Sequence, residues 1–233
     1  MEITQPGYDK SIVAFSPDGR LLQVEYAREA VKRGTTEIGI KCIDGIVLLS
    51  TRIIPTKLME TKSIEKIFQI DDNIGAVITG MTADGRILIE RLRVEAQINM
   101  ATYGEPIGIE ILTKKISDFI YSYTQSGGIR PFGTSLLIAG MDNNIPRLFE
   151  TDPSGTLFEY KAIGIGGMRQ DVINVLEKEY KEDITMIEST KLGIKILSDL
   201  IDVTTSNIEI VCINEKYHKL WKEEIEIYLE DLK

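Results

Sequence analysis

Asp44-Gly45 lies between two apolar runs, residues 36–42 and 46–51. Asp-Gly suits the left-handed backbone of a two-residue hairpin turn, so the runs are expected to pair antiparallel. A second pair, 66–70 and 74–79, flanks Asp71-Asp72-Asn73. The period then changes to a helical one. Residues 83–101 read as helix with Thr82 as N-cap, although Gly85 inside it costs about 1 kcal/mol against Ala. Ile109, Leu112, Ile116, Phe119 and Tyr123 mark one face of a second helix. Gly127-Gly128 breaks that pattern. Strands are expected at 134–139, 146–150 and 156–160, and helices at 168–180 and 185–201. Thr185 and Glu188 open the latter with capping-box spacing. A buried strand at 208–213, a weaker one at 216–221 and a terminal helix through Ile225, Tyr228, Leu229 and Leu232 complete the order. Hairpin-linked strands alternating with helix pairs predict an α+β fold. No Pro/Gly/Ser-rich linker divides the chain, so a single domain over 1–233 is expected.

The N-terminal segment is different. Residues 1–19 show little periodicity and read as an arm, though Tyr8, Phe15 and Pro17 would gain by packing. Ser16-Pro17-Asp18-Gly19 is a turn, with Pro fixing φ at its second position. Residues 21–32 then read as helix. Leu21, Val24, Ala27 and Val31 form a stripe, Leu22, Tyr26 and Ala30 widen it, and Gly34 can stop it. Glu25 with Arg28 and Glu29 with Arg33 are expected pairs on the other face. Two apolar sets on one short helix leave two readings: burial on both flanks within its own domain, or partial burial against another copy.

Bulk properties exclude several functions. The chain has 233 residues, a net charge of −9 and no long basic run, which argues against nucleic acid as a main partner. Its apolar content of 43% and mean hydropathy of −0.03 suit a soluble protein. No run is long enough to span a membrane. The first residues lack the basic and apolar regions of a signal peptide. Cys42 and Cys212 sit in apolar strands and are expected to be buried thiols in a reducing compartment, so an intracellular, cytoplasmic protein is expected.

Chemistry-bearing motifs are sparse. The only histidine, His218, lies beside Trp221 on a weak strand and reads as a surface residue. With the two cysteines far apart in sequence, no metal site is expected. Gly164-Ile165-Gly166-Gly167 before a helix hints at a phosphate cradle. The third glycine of that motif would fall on Arg169, so a strand-to-helix turn is the better reading. No cofactor is expected.

The stretch YDKSIVAFSPDGRLLQVEYAREAVKRG, residues 8–34, resembles the N-terminal signature of proteasome α-subunits, closest to the archaeal type. Further matches at SIEKI, TADGR, IRPFG, DPSG and the closing helix extend the resemblance over essentially the whole chain. It implies a four-layer αββα sandwich of the N-terminal-nucleophile hydrolase type over 35–233, preceded by a gating arm (1–19) and an extra helix (20–33). In the catalytic subunits of that family the nucleophile is an N-terminal threonine. Alignment on Ile38-Gly39-Ile40 places Thr35 there, Lys66 at the active-site lysine and Thr51 at the acidic partner. That chemistry needs a free α-amine as base. Thr35 lies within the chain and Thr51 carries no charge, so a non-catalytic subunit is expected.

The resemblance implies a heptameric outer ring capping the catalytic β rings in a threonine protease complex for intracellular protein degradation. Its implied partners are other α subunits, β subunits, a proteasome-activating ATPase and unfolded polypeptide substrates. Tyr8, Asp9, Pro17 and Tyr26 match the gate residues. Gly19, Glu25, Gly34, Lys66 and Met81 match a pocket between subunits for the ATPase C-terminal carboxylate. Ser126, Gly127, Gly128 and Ile129 match the loop lining the entrance channel. Three positions depart from the family pattern: Lys10 for arginine, Met81 for leucine, and Ser126 for an aromatic or histidine. Lysine lacks the planar fork of arginine, whereas methionine nearly preserves leucine's volume.

Overall fold

The expected hairpin forms between β1 (Glu37–Cys42) and β2 (Gly45–Thr51), but its two turn residues are Ile43 and Asp44, because Gly45 already pairs with Cys42 as the first residue of β2. The structure, a computed structural model, describes residues 14–56, 58–60 and 63–231. Helix α1 (Leu22–Lys32) precedes that hairpin. β3 (Ile67–Asp71) and β4 (Ile74–Gly80) follow it, then α2 (Thr82–Tyr103) and α3 (Ile109–Thr124). Next come β5 (Thr134–Asp142), β6 (Ile145–Thr151), β7 (Leu157–Glu159) and β8 (Ala162–Ile165). Helices α4 (Arg169–Glu179) and α5 (Met186–Leu200), strands β9 (Ile208–Ile213) and β10 (Tyr217–Lys219), and α6 (Lys222–Glu230) end the chain.

Among the described residues the strands form two antiparallel five-stranded sheets, ordered β10-β9-β2-β1-β8 and β3-β4-β5-β6-β7. Three apolar clusters show how they stack. Ile78, Leu88, Leu92, Ile116 and Phe149 join the second sheet to α2 and α3. Ile38, Leu49, Val172, Leu197 and Ile225 join the first to α4, α5 and α6. Ile46, Leu48, Val77, Leu137 and Val211 lie between the sheets. Helix, sheet, sheet, helix is thus the layer order, and the α+β sandwich expectation holds.

Local chemistry explains several joints. Thr185 Oγ1 accepts from the Glu188 N–H, and Glu188 Oε2 accepts from the Thr185 N–H at 2.9 Å, so the expected capping box forms. At Gly85 a Cβ would stand 2.6 Å from Ile78 Cδ1, so the glycine lets α2 lie close on β4. Both cysteines are buried free thiols, and desolvation pushes them up, Cys42 to about 12 and Cys212 to about 11.

The structure corrects four further expectations. β8 is an additional strand, paired with β1 from Glu37↔Ile165 to Ile40↔Ala162. Thr82 is the first helical residue rather than the cap, because the preceding Met81 is held by its N–H to the Gly133 carbonyl, 2.9 Å. Leu22, not Leu21, completes the buried stripe of α1 with Val24, Ala27 and Val31. Glu29 pairs with Lys32 one turn away rather than with Arg33, while Glu25 pairs with Arg28 as expected.

Candidate functional site

The layer between the sheets changes character toward one end. In-register pairing aligns Glu37, Ser50 and Glu209 across β1, β2 and β9, on the face that carries Leu48 and Val211. All three are buried. Thr79 and Ser135, paired across β4 and β5, extend this polar end onto the second sheet. A fully apolar layer would be cheaper, because buried polar groups must each find partners.

Lys66 enters this end just before β3. Its N–H donates to Glu209 Oε2 at 3.1 Å, and its carbonyl accepts from the Ile78 N–H at 3.1 Å. Glu209 also pairs with Arg52 at 3.0 Å and with Lys219. The Lys66 ammonium makes no ion pair among the described residues. Glu65, its neighbour in sequence, pairs instead with Lys219 at 3.0 Å. Glu37 accepts from Thr35 Oγ1 at 2.5 Å through Oε1, while its buried Oε2 has no hydrogen-bond partner among the described residues. Burial pushes its carboxyl up to about 7, against the opposing pull of the Ser50 and Thr35 hydroxyls and the Lys66 charge.

Gly34 and Met81 lie at the end of β4, just beyond the Ile78 whose N–H bonds the Lys66 carbonyl. A Cβ on Gly34 would lie 2.5 Å from both the Gly80 nitrogen and Thr79 Oγ1. The residue after Gly80, Met81, is 43% exposed. Lys66, Gly34 and Met81 therefore converge on the end of β4. Gly19 and Glu25 do not join them within one chain. Gly19 (φ +75°) closes the expected turn with its N–H to the Ser16 carbonyl, 2.8 Å, and Glu25 is turned to Arg28. Glu25 is also about two and a half turns of helix before Gly34.

Arg130 and Asp84 tie the loop after α3 to the same end. Arg130 Nη1 and Nη2 donate to the two Asp84 oxygens at 2.6 and 2.7 Å, and the Gly133 N–H donates to Asp84 Oδ2 at 2.9 Å. Gly133 in turn lies against the Met81 side chain. Beyond this anchor, Gly127 and Gly128 face open space and Ile129 is 45% exposed. Ser126 folds back, donating from Oγ to the Ser122 carbonyl at 2.9 Å. Of the arm and helix, Pro17 is exposed and Tyr26 is 46% exposed. Tyr8, Asp9 and Lys10 lie outside the described residues.

The family model for proteasome subunits matches residues 31–213, and the model for the N-terminal signature of their A type matches residues 8–30. The chain belongs to the proteasome subunit family. It carries that family's α-type signature on the segment that forms the turn and α1. It is 54% identical to the proteasome alpha subunit of Methanosarcina barkeri over 98% of this chain and 94% of that protein. It is also 54% identical to that of Methanocaldococcus jannaschii over 99% and 90%, and 51% identical to that of Methanopyrus kandleri over 97% and 93%.

Within the proteasome fold, the strand that opens the first sheet carries Thr35 just ahead of it. Its carbonyl accepts from Thr79 Oγ1 at 2.8 Å, and its amide nitrogen is bonded to Gly34. The third aligned position, Thr51, exchanges hydrogen bonds with the Thr36 backbone at 3.2 and 3.1 Å. Glu37, which no sequence motif marks, supplies the acid nearest Thr35. His218 is exposed on β10, 3.2 Å from Glu224. Gly166 passes against the Thr35 carbonyl in the turn from β8 to α4, the role expected of that glycine run. No group of three potential metal ligands occurs among the described residues, and no helix among them is long and apolar enough to cross a membrane.

Proposed function

We propose that this chain is a non-catalytic α subunit of the outer ring of the proteasome core, controlling passage of unfolded polypeptides to catalytic β subunits in the cytoplasm. The observation that carries the reading is the blocked Thr35 nitrogen. The residue at the nucleophile position is acylated by the preceding helix segment, and that helix is seated. Leu22, Val24, Ala27 and Val31 are buried, and α1 packs on β4 and β5. Without a free amine no group at Thr35 can act as its own base.

The described geometry supports three further roles. Lys66, a buried residue with an ammonium uncommitted to any ion pair among the described residues, is bonded through its carbonyl to Ile78 of β4, the strand that ends beside Gly34 and Met81, and would receive the C-terminal carboxylate of an activator ATPase. Gly19 and Glu25, remote from Lys66 in one chain, would complete that pocket from a neighbouring copy. The exposed Tyr26 and Pro17 would pack with Tyr8 and Asp9 between neighbours to hold the gate. Gly127-Gly128, with open space around their Cα positions, leave room for the ring's other backbones and for substrate.

Co-expression with a β partner tests the reading. The expected result is ring-shaped particles containing the unprocessed 26.2 kDa chain, with peptidase turnover only when β is present. A fragment beginning at Thr35, or turnover by this chain alone, would overturn it. Lys66→Ala is expected to lose ATPase-stimulated hydrolysis; unchanged stimulation would remove the docking assignment.

A further inference from the structure

We propose that Glu37 sets the affinity of the Lys66 pocket for an incoming carboxylate, acting as an internal competitor for the Lys66 charge that a proton switches off. The inference rests on the docking role given to Lys66 above and adds a residue that nothing in that role requires.

Three observations carry it. First, Glu37 is buried in register with Ser50 and Glu209, so two carboxylates and one hydroxyl form a row on one sheet face. Second, the two acids are served unequally. Glu209 has two cations, Arg52 and Lys219, and the Lys66 N–H, whereas Glu37 has no ion pair among the described residues, only the neutral hydroxyls of Thr35 on Oε1 and of Ser50, and its Oε2 has no hydrogen-bond partner among them. Third, the Lys66 ammonium has no ion-pair partner among the described residues, yet its charge is felt at Glu37. One cation is therefore shared between a resident acid with an unused oxygen and whatever anion enters the pocket.

The charged groups around Glu37 fix the sign. Lys66 attracts it and Glu209 repels it; Arg52 and Lys219 are occupied by Glu209, and Lys219 also by Glu65. Thr35 and Ser50 are neutral. Ionised, Glu37 draws the Lys66 ammonium inward and adds a negative charge that opposes a second carboxylate. Protonated, it does neither. Because burial places the Glu37 carboxyl at about 7, the neutral form prevails below that pH and the ionised form above it. If only the neutral form is competent, its share falls from about nine-tenths near pH 6 to about one-tenth near pH 8, and the affinity falls roughly tenfold.

The test uses the assembled core and a short peptide ending in a free carboxylate, with its C-terminal amide as control. Binding of the carboxylate peptide is expected to weaken roughly tenfold from about pH 6 to about pH 8, while the amide shows no Lys66-dependent binding. Glu37→Gln is expected to keep the tighter affinity throughout and lose the slope. Glu37→Ala carries the same expectation should the glutamine variant fail to assemble. His218→Gln, which removes the chain's only histidine, is expected to leave the slope intact. A slope that survives loss of the Glu37 charge, or a flat wild type that still binds through Lys66, overturns the role of Glu37 alone. Absence of any Lys66-dependent carboxylate binding, in wild type and variants alike, overturns the docking assignment and this inference with it.

Discussion

Asp84 is the point at which the loop after α3 is tied to the rest of the fold, and its removal has a calculable effect. The carboxylate accepts three hydrogen bonds, two from Arg130 and one from the Gly133 N–H, from the first turn of α2. Arg130 is 56% exposed, so water screens the ion pair and its loss is worth only about 0.5–1 kcal/mol. The acid at the helix N-terminus adds about 0.5 kcal/mol. The buried Gly133 N–H is the larger share: left without an acceptor, it costs about 1–3 kcal/mol. Asp84→Ala is therefore expected to destabilise the loop anchor by roughly 3 kcal/mol, and Asp84→Asn, which keeps an acceptor for Gly133, by about 1 kcal/mol. Amide hydrogen exchange at Gly133 in the assembled particle reads this directly, as an acceleration of about a hundredfold for alanine and several-fold for asparagine. Arg130 holds the Asp84 carboxyl below its ordinary 3.8, so the native state binds this proton less readily than the unfolded chain. The anchor's stabilisation is thus complete above that value and lost as pH falls through the lower native one. Unchanged exchange in the alanine variant would refute the anchor. An asparagine variant as impaired as alanine would refute the weight given to the Gly133 N–H.

Two further substitutions probe how the layers are joined. Gly85→Ala should gain about 1 kcal/mol in helix propensity but lose more to the clash with Ile78, a net destabilisation of about 1–2 kcal/mol. Adding Ile78→Val, which removes the atom 2.6 Å from the new methyl, should recover part of that loss in a double-mutant cycle of chemical denaturation; simple additivity would show that the contact is not the cause. Thr185→Ala should cost about 1 kcal/mol through the lost cap on α5, and a change within error would show that Glu188 alone secures the helix start.

Which features could be read from the sequence follows from the range of the interactions that made them. The β1–β2 hairpin and the Thr185–Glu188 capping box are closed by residues a few positions apart, and both were legible, although the hairpin turns on Ile43-Asp44, one residue before the expected Asp44-Gly45. β8 was not. It is four residues long, and its partner β1 lies more than a hundred positions earlier, so nothing local marks it. The start of α2 was displaced for a related reason: Thr82 has the chemistry of a cap, but the pairing of Gly80 with Thr134 and of Met81 with Gly133 decides where the strand ends. Lys66, Gly34 and Met81 were found through resemblance, and the end of β4 brings them together. Glu37 and Glu209 escaped notice because β1 and β9 are covered on both faces. A strand buried on both faces has no polar side against which an inward acid would stand out.

The two readings of α1 can now be weighed on packing. Its apolar stripe is satisfied within its own chain, against β4 and β5, next to Thr79 and Ser135 at the polar end of the inter-sheet layer. Of the residues that widen the stripe, Leu22 is buried within its own chain, while Tyr26, one turn on, remains half in solvent and is what a neighbouring copy in the proposed ring would cover. The helix thus has two jobs that depend on each other. Seated on β4, it delivers Gly34 into contact with Gly80 and leaves the Thr35 nitrogen within a peptide bond. The same seating sets Gly34 against the end of β4, where Met81 is exposed while Lys66 and Glu37 are buried. A variant that unseats α1, such as Val31→Asp on the buried stripe, would place a charge against apolar β-sheet. It should therefore lose ring assembly and carboxylate binding together. Loss of one without the other would separate the helix from the pocket.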